Sequence, residues 1–204
     1  APVAIPELSA GLETLSPERV AADIKKLLAA PNPAPSVAAM ATTGVLAHVL
    51  PGAAAPPLPV LVHHEISAAV APDAMRRLAS LGGDGHMDRL RLSKAEARRL
   101  DRLRAHLGDP VGPAELAYRI GPDEARDVVL LNAAILETPL PPDLNRALAI
   151  GASARFPVTP RDLMPRYQGR ALGARLAALE TAWIASGFTL SRDALLEVPD
   201  AGDD

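Results

Sequence analysis

The sequence of 204 residues contains no cysteine and few aromatic side chains. Without cysteine the chain has no disulfide, no thiolate nucleophile, no zinc–thiolate site and no cysteine-bound iron–sulfur cluster. Aromatic residues make up 2% of the chain, whereas the strands of a β-sandwich or barrel are rich in aromatic and β-branched residues. These two scarcities argue against a disulfide-stapled protein and against an all-β protein.

The chain also lacks an excess of positive charge and a long apolar run. Its formal net charge is −3, so any contact with nucleic acid has to come from local patches. No run of about 18 apolar residues is present to span a membrane, and no basic segment followed by an apolar one indicates a signal peptide. We expect a cytoplasmic protein with no membrane partner. Because residue 1 is Ala rather than Met, we also expect an excised domain or a processed chain.

The sequence is rich in alanine (40 residues), leucine (30) and proline (21). Ala and Leu are strong helix formers, and frequent Pro keeps helices short. We predict an all-α fold, a compact array of about ten short helices without strands. The Pro-rich stretch 138–142 is the best candidate boundary and would divide the chain into helical regions 1–137 and 138–204. A break at 108–113 and one continuous domain are the alternatives.

Local signals place several of these helices. Ser16 is a predicted N-cap followed by Pro at the first helical position, and Ser93 opens a capping box. Trp183 continues an apolar stripe of helical period, which predicts that it lies in the core. The first 14 residues are expected to be the frayed end of a preceding element, and residues 200–204 a disordered acidic tail.

No group of residues forms a recognisable active site. His63, His64 and Glu65 are the one cluster of metal-ligand type, but neighbouring helical residues point about 100° apart and cannot grip one metal ion together. A surface or partly buried helix face explains them better. The chain has no Gly-x-Ser-x-Gly motif, and the glycine-rich stretch 82–85 lacks the Lys and Ser/Thr of a phosphate-binding loop. We predict no catalytic residue and no metal site.

Two local clusters of basic residues stand out against the negative total. Residues 89–104 carry seven Lys or Arg against two acids, and residues 155–175 carry five Arg against one Asp. On a helix that begins at Lys94, that residue, Arg98 and Arg102 share one face, opposite to leucines. Such faces suit nucleic-acid phosphates, with no base stacking expected on aromatic side chains, and a solvated helix face is the alternative. The predicted phosphate-contacting residues are Arg91, Lys94, Arg98, Arg102, Arg166, Arg170 and Arg175.

Five short motifs, taken in chain order, resemble those of one enzyme family. They are Leu15-Ser16-Pro17-Glu18-Arg19-Val20-x-x-Asp23-Ile24, Met40-x-x-x-Gly44-Val45-Leu46, Arg89-Leu90-Arg91-Leu92-Ser93-Lys94-x-Glu96, Phe156-Pro157-Val158-Thr159-Pro160-Arg161-Asp162-Leu163-Met164 and Gly173-x-x-Leu176-x-x-Leu179-Glu180-x-x-Trp183-Ile184-x-x-Gly187-Phe188. The family is that of the bacterial class II tRNA nucleotidyltransferases, the CCA-adding enzymes, and their poly(A) polymerase relatives. The resemblance covers residues 15–196.

The resemblance implies an RNA-holding role and places catalysis in another part of the enzyme. In the family, a head domain with a Gly-Ser motif and an Asp-x-Asp pair binds Mg²⁺ with CTP or ATP, and a Glu-Asp-x-x-Arg motif selects the nucleotide. None of these motifs occurs in this sequence. The chain then corresponds to the end of the neck, the body and the tail, holds no cofactor and is expected to be inactive alone. Its implied task is to hold the acceptor stem and elbow of tRNA while the head adds CCA, or A, to the 3′ end.

The resemblance also implies partners and a structural motif. The expected partners are tRNA and the head of the same polypeptide, and a homo-oligomer is a further expectation. Ser16, Glu18, Arg19 and Asp23 match a neck segment that supports the nucleotide-reading helix rather than touching the base. An alternative function stays open on the residues alone, namely a helical protein–protein scaffold or oligomerisation module with no RNA affinity.

Overall fold

The helices of this protein begin and end close to the positions that the cap signals predict. A computed structural model describes residues 16–199, so the predictions for the first 14 residues and for residues 200–204 lie outside the described residues. Within the described range no strand occurs, and an isolated antiparallel bridge joins Ala53 and Gly82. The predicted all-α fold is confirmed.

We number the helices of the described range in chain order. They are α1 (Pro17–Ala29), α2 (Ala34–Thr42), α3 (Val45–Val49), α4 (Pro57–Ser67), α5 (Ala74–Leu81), α6 (His86–Arg89), α7 (Lys94–Ala105), α8 (Pro113–Ile120), α9 (Pro122–Ile135), α10 (Leu144–Ser153), α11 (Pro160–Leu163), α12 (Gly169–Ala185) and α13 (Arg192–Leu196). The short helix α6 is the one that the sequence analysis does not predict, because it directly follows the glycine-rich stretch.

Hydrogen-bonded caps open the helices that carry the sequence signals. The Ser16 side chain accepts a hydrogen bond from the backbone N–H of Arg19 at 3.3 Å, at the start of α1. At α7, Ser93 Oγ accepts from the N–H of Glu96 at 3.2 Å, and Glu96 Oε2 accepts from the N–H of Ser93 at 2.7 Å. These bonds satisfy donors that a helix start leaves unpaired. The bond from the Ser93 N–H also lowers the pKa of the Glu96 carboxyl.

The helices divide into two units that are discontinuous in sequence. The first unit contains residues 16–110 and 127–142, and the second unit contains residues 111–126 and 143–199. The chain therefore passes from the second unit back to the first inside α9, where no proline or glycine marks a break. The domain boundary predicted at 138–142 stays a prediction.

The core of the first unit consists of leucines around a pair of buried arginines. Arg76 and Arg77 are adjacent on α5, and their exposed fractions are 3% and 1%. Adjacent charges of one sign are rarely buried in this way unless anionic groups and carbonyls surround them. Fully buried leucines form the apolar part of this core: Leu28, Leu50, Leu58, Leu61, Leu78, Leu81, Leu90, Leu103, Leu130 and Leu131.

A buried ionic network compensates the two arginines. Glu65 on α4 accepts from Arg76 Nε at 2.8 Å with one oxygen and from Arg77 Nε at 2.9 Å with the other. Arg76 Nη1 also donates to Asp127 Oδ1 at 2.6 Å. Arg77 Nη1 donates to the carbonyl of Leu28 at 2.7 Å. The network thereby joins the end of α1 to α4, α5 and the part of α9 that belongs to the first unit.

The core of the second unit combines aliphatic residues with a cluster of aromatic rings around Trp183. Trp183 on α12 is 3% exposed, which confirms its predicted core position. Its ring packs edge-to-face against Tyr118 and Phe188, with centroid distances of 5.5 and 5.0 Å, and lies 5.5 Å from Phe156. Burial, together with a 2.5 Å hydrogen bond that the Tyr118 hydroxyl donates to Glu180, raises the pKa of Tyr118 to about 12.

Helices α8 and α10 of the second unit approach closely at a glycine. A Cβ atom added to Gly151 would lie 1.9 Å from the carbonyl oxygen of Ala114 and 3.0 Å from the Cβ of Ala117. No real Cβ atom tolerates the first of these distances, so only glycine permits this approach of the two helices.

Candidate RNA-binding surface

The basic row of α7 consists of Lys94, Arg98 and Arg102, and all three residues are exposed. Buried residues of the same helix, Leu100 and Leu103 among them, occupy the other side. At 1.5 Å of rise per residue, the row repeats a positive charge about every 6 Å over about 12 Å of helix. The face predicted from the spacing is therefore the one that is open to solvent.

The two ends of the row differ in how the helix itself accounts for their charge. Arg102 lies in the last turn of α7, where a cation is favourable beside the negative end of the helix dipole. Lys94 is the first residue of α7, where a cation faces the positive end of the dipole. Helix stability thus accounts for Arg102 but disfavours Lys94, which makes Lys94 the better sign of an anionic ligand.

Two ion pairs join α1 to the start of α7. Lys25 Nζ lies 3.2 Å from Glu96 Oε1, and Arg91 Nη2 lies 3.3 Å from Glu18 Oε1. The side chains of Arg91 and Glu18 are both more than half exposed, and an exposed pair of this kind stabilises a protein by about 1 kcal/mol at most. A phosphate can therefore replace Glu18 as the partner of Arg91. Arg91 also has a φ of 47°, which is uncommon for a residue other than glycine.

The four predicted neck residues lie at the beginning of α1. Ser16 caps the helix, and the side chains of Glu18, Arg19 and Asp23 are exposed. Arg19 and Asp23 are one helical turn apart and share a face. The role predicted for them, support of a nucleotide-reading helix, stays a prediction.

The structure separates the predicted residues of the second basic cluster. Arg166 and Arg170 are exposed around the N-terminus of α12. Arg175, in contrast, is 9% exposed, and it donates through Nη1 to the carbonyl of Pro199 at 2.9 Å and through Nη2 to the carbonyl of Val198. Because these bonds fasten α12 to the end of the described chain, we leave Arg175 out of the proposed RNA contacts.

The second cluster contains an aromatic residue that the sequence analysis overlooks. Tyr167 directly follows Arg166, whose guanidinium carbon lies 5.2 Å from the centre of the tyrosine ring. The guanidinium carbon of Arg175 lies 6.0 Å from the same ring. Both distances are typical of cation–π contacts. The expectation that no aromatic side chain is available for base stacking in this cluster is therefore wrong. The sequence itself showed the residue, because Tyr167 directly follows Arg166.

The one acid of the second cluster is paired. Asp162 Oδ1 lies 2.6 Å from Arg192 Nη2, and Asp162 Oδ2 accepts from the N–H of Thr159 at 2.7 Å. The Arg192 guanidinium, followed by the bonds from Thr159, holds the pKa of Asp162 well below its ordinary range. Arg192, a cation that lies outside the predicted cluster, thus balances the negative charge of Asp162.

The histidine pair has a different environment from the one that the sequence predicts. His63 is exposed, but His64 and Glu65 are buried with 7% and 1% of their surface exposed, so the prediction of a surface or partly buried face is wrong for these two. The carboxylate of Glu65 is occupied by arginines. Across residues 16–199, no three His, Asp or Glu side chains gather at a point that would hold a metal ion. We therefore assign no residues to the Mg²⁺ that the resemblance implies.

Residues 3–55 match the family model described as a probable RNA and SrmB-binding site of polymerase A. This match supports an RNA-binding region of the poly(A) polymerase type over a segment that includes α1, α2 and α3. A search of curated proteins and a search of solved structures found no match to the chain. In the described part of the chain, no helix has the length and apolar character needed to cross a membrane.

The matched segment itself carries little positive charge. Three basic residues stand against four acidic ones, a net charge of −1: Arg19, Lys25 and Lys26 against Glu7, Glu13, Glu18 and Asp23. Phosphate contacts need Lys or Arg, so RNA bound here has to draw cations from outside the segment. The ion pairs from α1 to Arg91 and Glu96 bring the start of the α7 row beside it.

Proposed function

We propose that this chain is a helical RNA-binding module that holds tRNA for a nucleotidyltransferase of the CCA-adding or poly(A) polymerase type. It corresponds in this proposal to the end of the neck, the body and the tail of a bacterial class II enzyme, acting in the cytoplasm. A head of the same polypeptide would add CCA, or A, to the 3′ end of the RNA from CTP or ATP with Mg²⁺. The match of residues 3–55 to an RNA-binding family model carries the proposal.

The exposed row of α7 supports this proposal independently of the match. Lys94, Arg98 and Arg102 repeat at a regular spacing on a face where the exposed Asp101 is the one acid among three cations, and Arg91 precedes them beside α1. Lys and Arg arranged in this way bind phosphates without reading sequence. The matched segment 3–55 has a net charge of −1, so the cations that would hold the RNA backbone come from the neighbouring basic row.

A second basic surface favours a folded RNA over a short strand. Arg166 and Arg170 are exposed in the second unit, and Arg166 lies against Tyr167. A folded tRNA offers backbone segments from its acceptor stem and its elbow, so it presents more phosphates to the two basic surfaces than a short duplex does. Full tRNA is therefore expected to bind more tightly than its acceptor stem alone.

Fluorescence anisotropy of labelled tRNA tests the proposal. The wild-type chain is titrated into full tRNA and into an acceptor-stem duplex at about 50 and about 200 mM salt, since phosphate contacts weaken steeply over this range. We expect tighter binding to tRNA at both concentrations. The variant with Arg98→Glu and Arg102→Glu is expected to bind at least about tenfold more weakly, which corresponds to about 1.4 kcal/mol.

A charge-matched variant controls for net charge. Arg119→Glu with Arg146→Glu changes the charge by the same amount at exposed positions of the second unit, outside both basic clusters. We expect this control to keep most of the affinity. Equal losses in the two variants, or no binding of the wild type at low salt, would contradict the proposal.

The proposal also predicts that the chain alone transfers no nucleotide. Purified chain, tRNA lacking its terminal CCA, labelled CTP and ATP, and Mg²⁺ are expected to give no incorporation. Incorporation would show that this chain contains a catalytic site, and the proposed division of labour would be wrong.

A second role, protein binding, is favoured by the description of the matched family model. That description names SrmB beside RNA, and we propose SrmB as a protein partner of this chain. The scaffold alternative from the sequence then becomes a role that accompanies RNA binding rather than replaces it. Light scattering of the chain mixed with purified SrmB tests this role, with a 1:1 complex as the expected result and two separate species as the contrary one.

A further inference from the structure

An apolar groove of about 830 Å³ lies between α2 and α4 in the first unit. One wall consists of Ala34, Ala38 and Ala41, which are spaced as one face of α2. The other wall includes Val62 and Ile66 of α4, and Ile66 is 73% exposed. A large aliphatic side chain left so open beside an apolar groove is typical of an interaction surface.

The groove lies largely within the segment that matches the RNA and SrmB-binding model. The alanines of α2 and the loop residues 53–55 belong to the matched segment, and the wall on α4 follows directly. Among the described residues that line it, none is Lys, Arg, Asp or Glu. A groove without cations does not suit RNA phosphates, so its charge fits the protein partner of the description rather than the RNA.

The geometry of the walls selects the kind of protein segment. Addition of a β-strand requires an exposed sheet edge with backbone N–H groups, whereas both walls are helices whose backbone bonds are internal. Pro35, Pro56 and Pro59 also line the groove and have no N–H to donate. Recognition of a polyproline segment requires an aromatic groove, and the first unit has no Phe, Tyr or Trp.

Helix-in-groove binding is the mode that these walls fit. Helices pack with their axes about 8–10 Å apart, and small side chains at the contact allow the closer distances. The alanine face of α2 provides such a contact. Ile66 on the opposite wall lies one turn after the buried Val62, and its exposed side chain would pack against the apolar face of an incoming helix.

We propose that the groove between α2 and α4 binds an uncharged, apolar face of an amphipathic helix of SrmB. This inference rests on the proposed function, because the description of the family model supplies the partner. It goes further by assigning the protein to this groove and the RNA to the basic row of α7. The two ligands then use different helices of the first unit, and we expect them to bind at the same time.

The buried ionic network gives the groove a fixed shape. Glu65 lies next to Ile66 on α4 and is held by both buried arginines. Arg77 also donates to the carbonyl of Leu28 at the end of α1 and to the carbonyl of Ala30 directly after it. The wall on α4 is therefore anchored to α5, and so is the chain that leads into the wall on α2, which reduces the ordering required when a helix binds.

Charge introduced into the groove tests the proposal. The variant Ala38→Glu with Ile66→Glu places two carboxylates on exposed positions of the two walls. The control, Ala39→Glu with Ser67→Glu, places the same charge on exposed positions of the same two helices outside the groove lining. Isothermal titration with purified SrmB and anisotropy with labelled tRNA are measured for both variants and for the wild type, and thermal unfolding by circular dichroism checks their folding.

The expected result is at least about tenfold weaker SrmB binding in the groove variant, or about 1.4 kcal/mol. SrmB binding by the control and tRNA binding by both variants are expected to match the wild type. Equal SrmB affinity in the two variants, or wild-type dimers that only the groove variant loses, would overturn the proposal. If the wild type does not bind tRNA, the RNA-binding function is contradicted. The SrmB measurement then still shows whether the groove binds SrmB.

Discussion

The cores of the two units differ in the residues that give each of them a specific packing. All five aromatic residues of the sequence, Tyr118, Phe156, Tyr167, Trp183 and Phe188, lie in the second unit. The first unit has none and instead buries Glu65, Arg76, Arg77 and Asp127 among its leucines. Aromatic rings bring large buried area and preferred contact angles, whereas leucine and alanine alone pack in many similar ways.

The comparison suggests what the buried charges achieve. A buried ion pair is weak evidence for stability, because desolvation of the charges offsets much of their attraction. In the first unit, however, the hydrogen bonds of Arg76 and Arg77 connect each guanidinium to specific oxygens of Glu65, Asp127 and Leu28. We infer that the network fixes how α1, α4, α5 and α9 meet, the task that ring contacts perform in the second unit.

The largest expected effect comes from breaking the network at its centre. Replacing Glu65 with Leu leaves two buried guanidinium groups without their carboxylate, and we expect a loss at the upper end of about 3–5 kcal/mol in the free energy of unfolding. Urea unfolding followed by circular dichroism measures it. Glu137→Gln, at an exposed acid, should change the free energy by less than about 0.5 kcal/mol. Similar losses in the two variants would mean that the network has no special role.

The aromatic core should respond differently to loss of its central ring. Trp183→Ala removes the ring that contacts Tyr118, Phe156 and Phe188, and we expect a loss of about 3–5 kcal/mol. Trp183→Phe keeps a ring of smaller size and should recover most of it. If Trp183→Phe is as destabilised as Trp183→Ala, ring contacts do not hold this core together, and the comparison between the units fails.

A smaller effect is expected where two helices of the second unit approach each other. Gly151→Ala places a methyl group against the carbonyl oxygen of Ala114, and overpacking of this kind costs about 1–3 kcal/mol. Ala149→Gly, on the same helix at an exposed position, should cost about 1 kcal/mol through helix propensity alone. Hydrogen exchange should locate the loss caused by Gly151→Ala in α8 and α10. Unchanged exchange there would contradict the close approach.

The smallest effects should distinguish the units by pH. Burial, with some help from the neighbouring His63, lowers the pKa of His64 in the first unit below 6.5. The unfolded chain therefore takes up this proton first as the pH falls, so stability is complete above pH 6.5 and declines as the pH drops through the lowered pKa. Tyr118 in the second unit behaves in the opposite sense. Its pKa rises from 10.0 to about 12, so stability is complete below pH 10 and declines up to pH 12.

Two variants isolate these proton effects. His64→Gln should flatten the acid side of the stability curve, and Tyr118→Phe should flatten the alkaline side, each by one proton relative to the wild type. Urea unfolding at a series of pH values measures both. If the loss of stability at acid pH persists in His64→Gln, a group other than His64 causes it. If the loss at alkaline pH persists in Tyr118→Phe, a group other than Tyr118 causes it.

The helices and the exposed basic row could be predicted because their causes are local. Ser16 and Ser93 act on backbone groups three residues away, and the face of Lys94, Arg98 and Arg102 follows from helical periodicity alone. The Asp162 cap works in the same way, since it bonds the N–H of Thr159. Signals of this range do not depend on the rest of the fold.

The buried network and the partners of Arg175 could not be predicted, because they depend on distant contacts. Glu65 bonds to Arg76 and Arg77, which are 11 and 12 residues later in the chain. Arg76 also bonds to Asp127, which is 51 residues after it. Nothing in the sequence around Glu65 or Asp127 distinguishes these buried carboxylates from exposed ones. Arg175 resembles a surface cation in the same way, although its partners are carbonyls at positions 198 and 199. The passage between units inside α9 leaves no composition signal at all.

The salt dependence of tRNA binding tests the central claim most directly. The slope of the logarithm of affinity against the logarithm of salt concentration counts the phosphate contacts, at about 0.9 per contact for a duplex. For the variant Lys94→Gln, Arg98→Gln and Arg102→Gln, we expect a slope smaller than that of the wild type by about 2 to 3. A slope equal to that of the wild type would show that the basic row of α7 does not bind RNA.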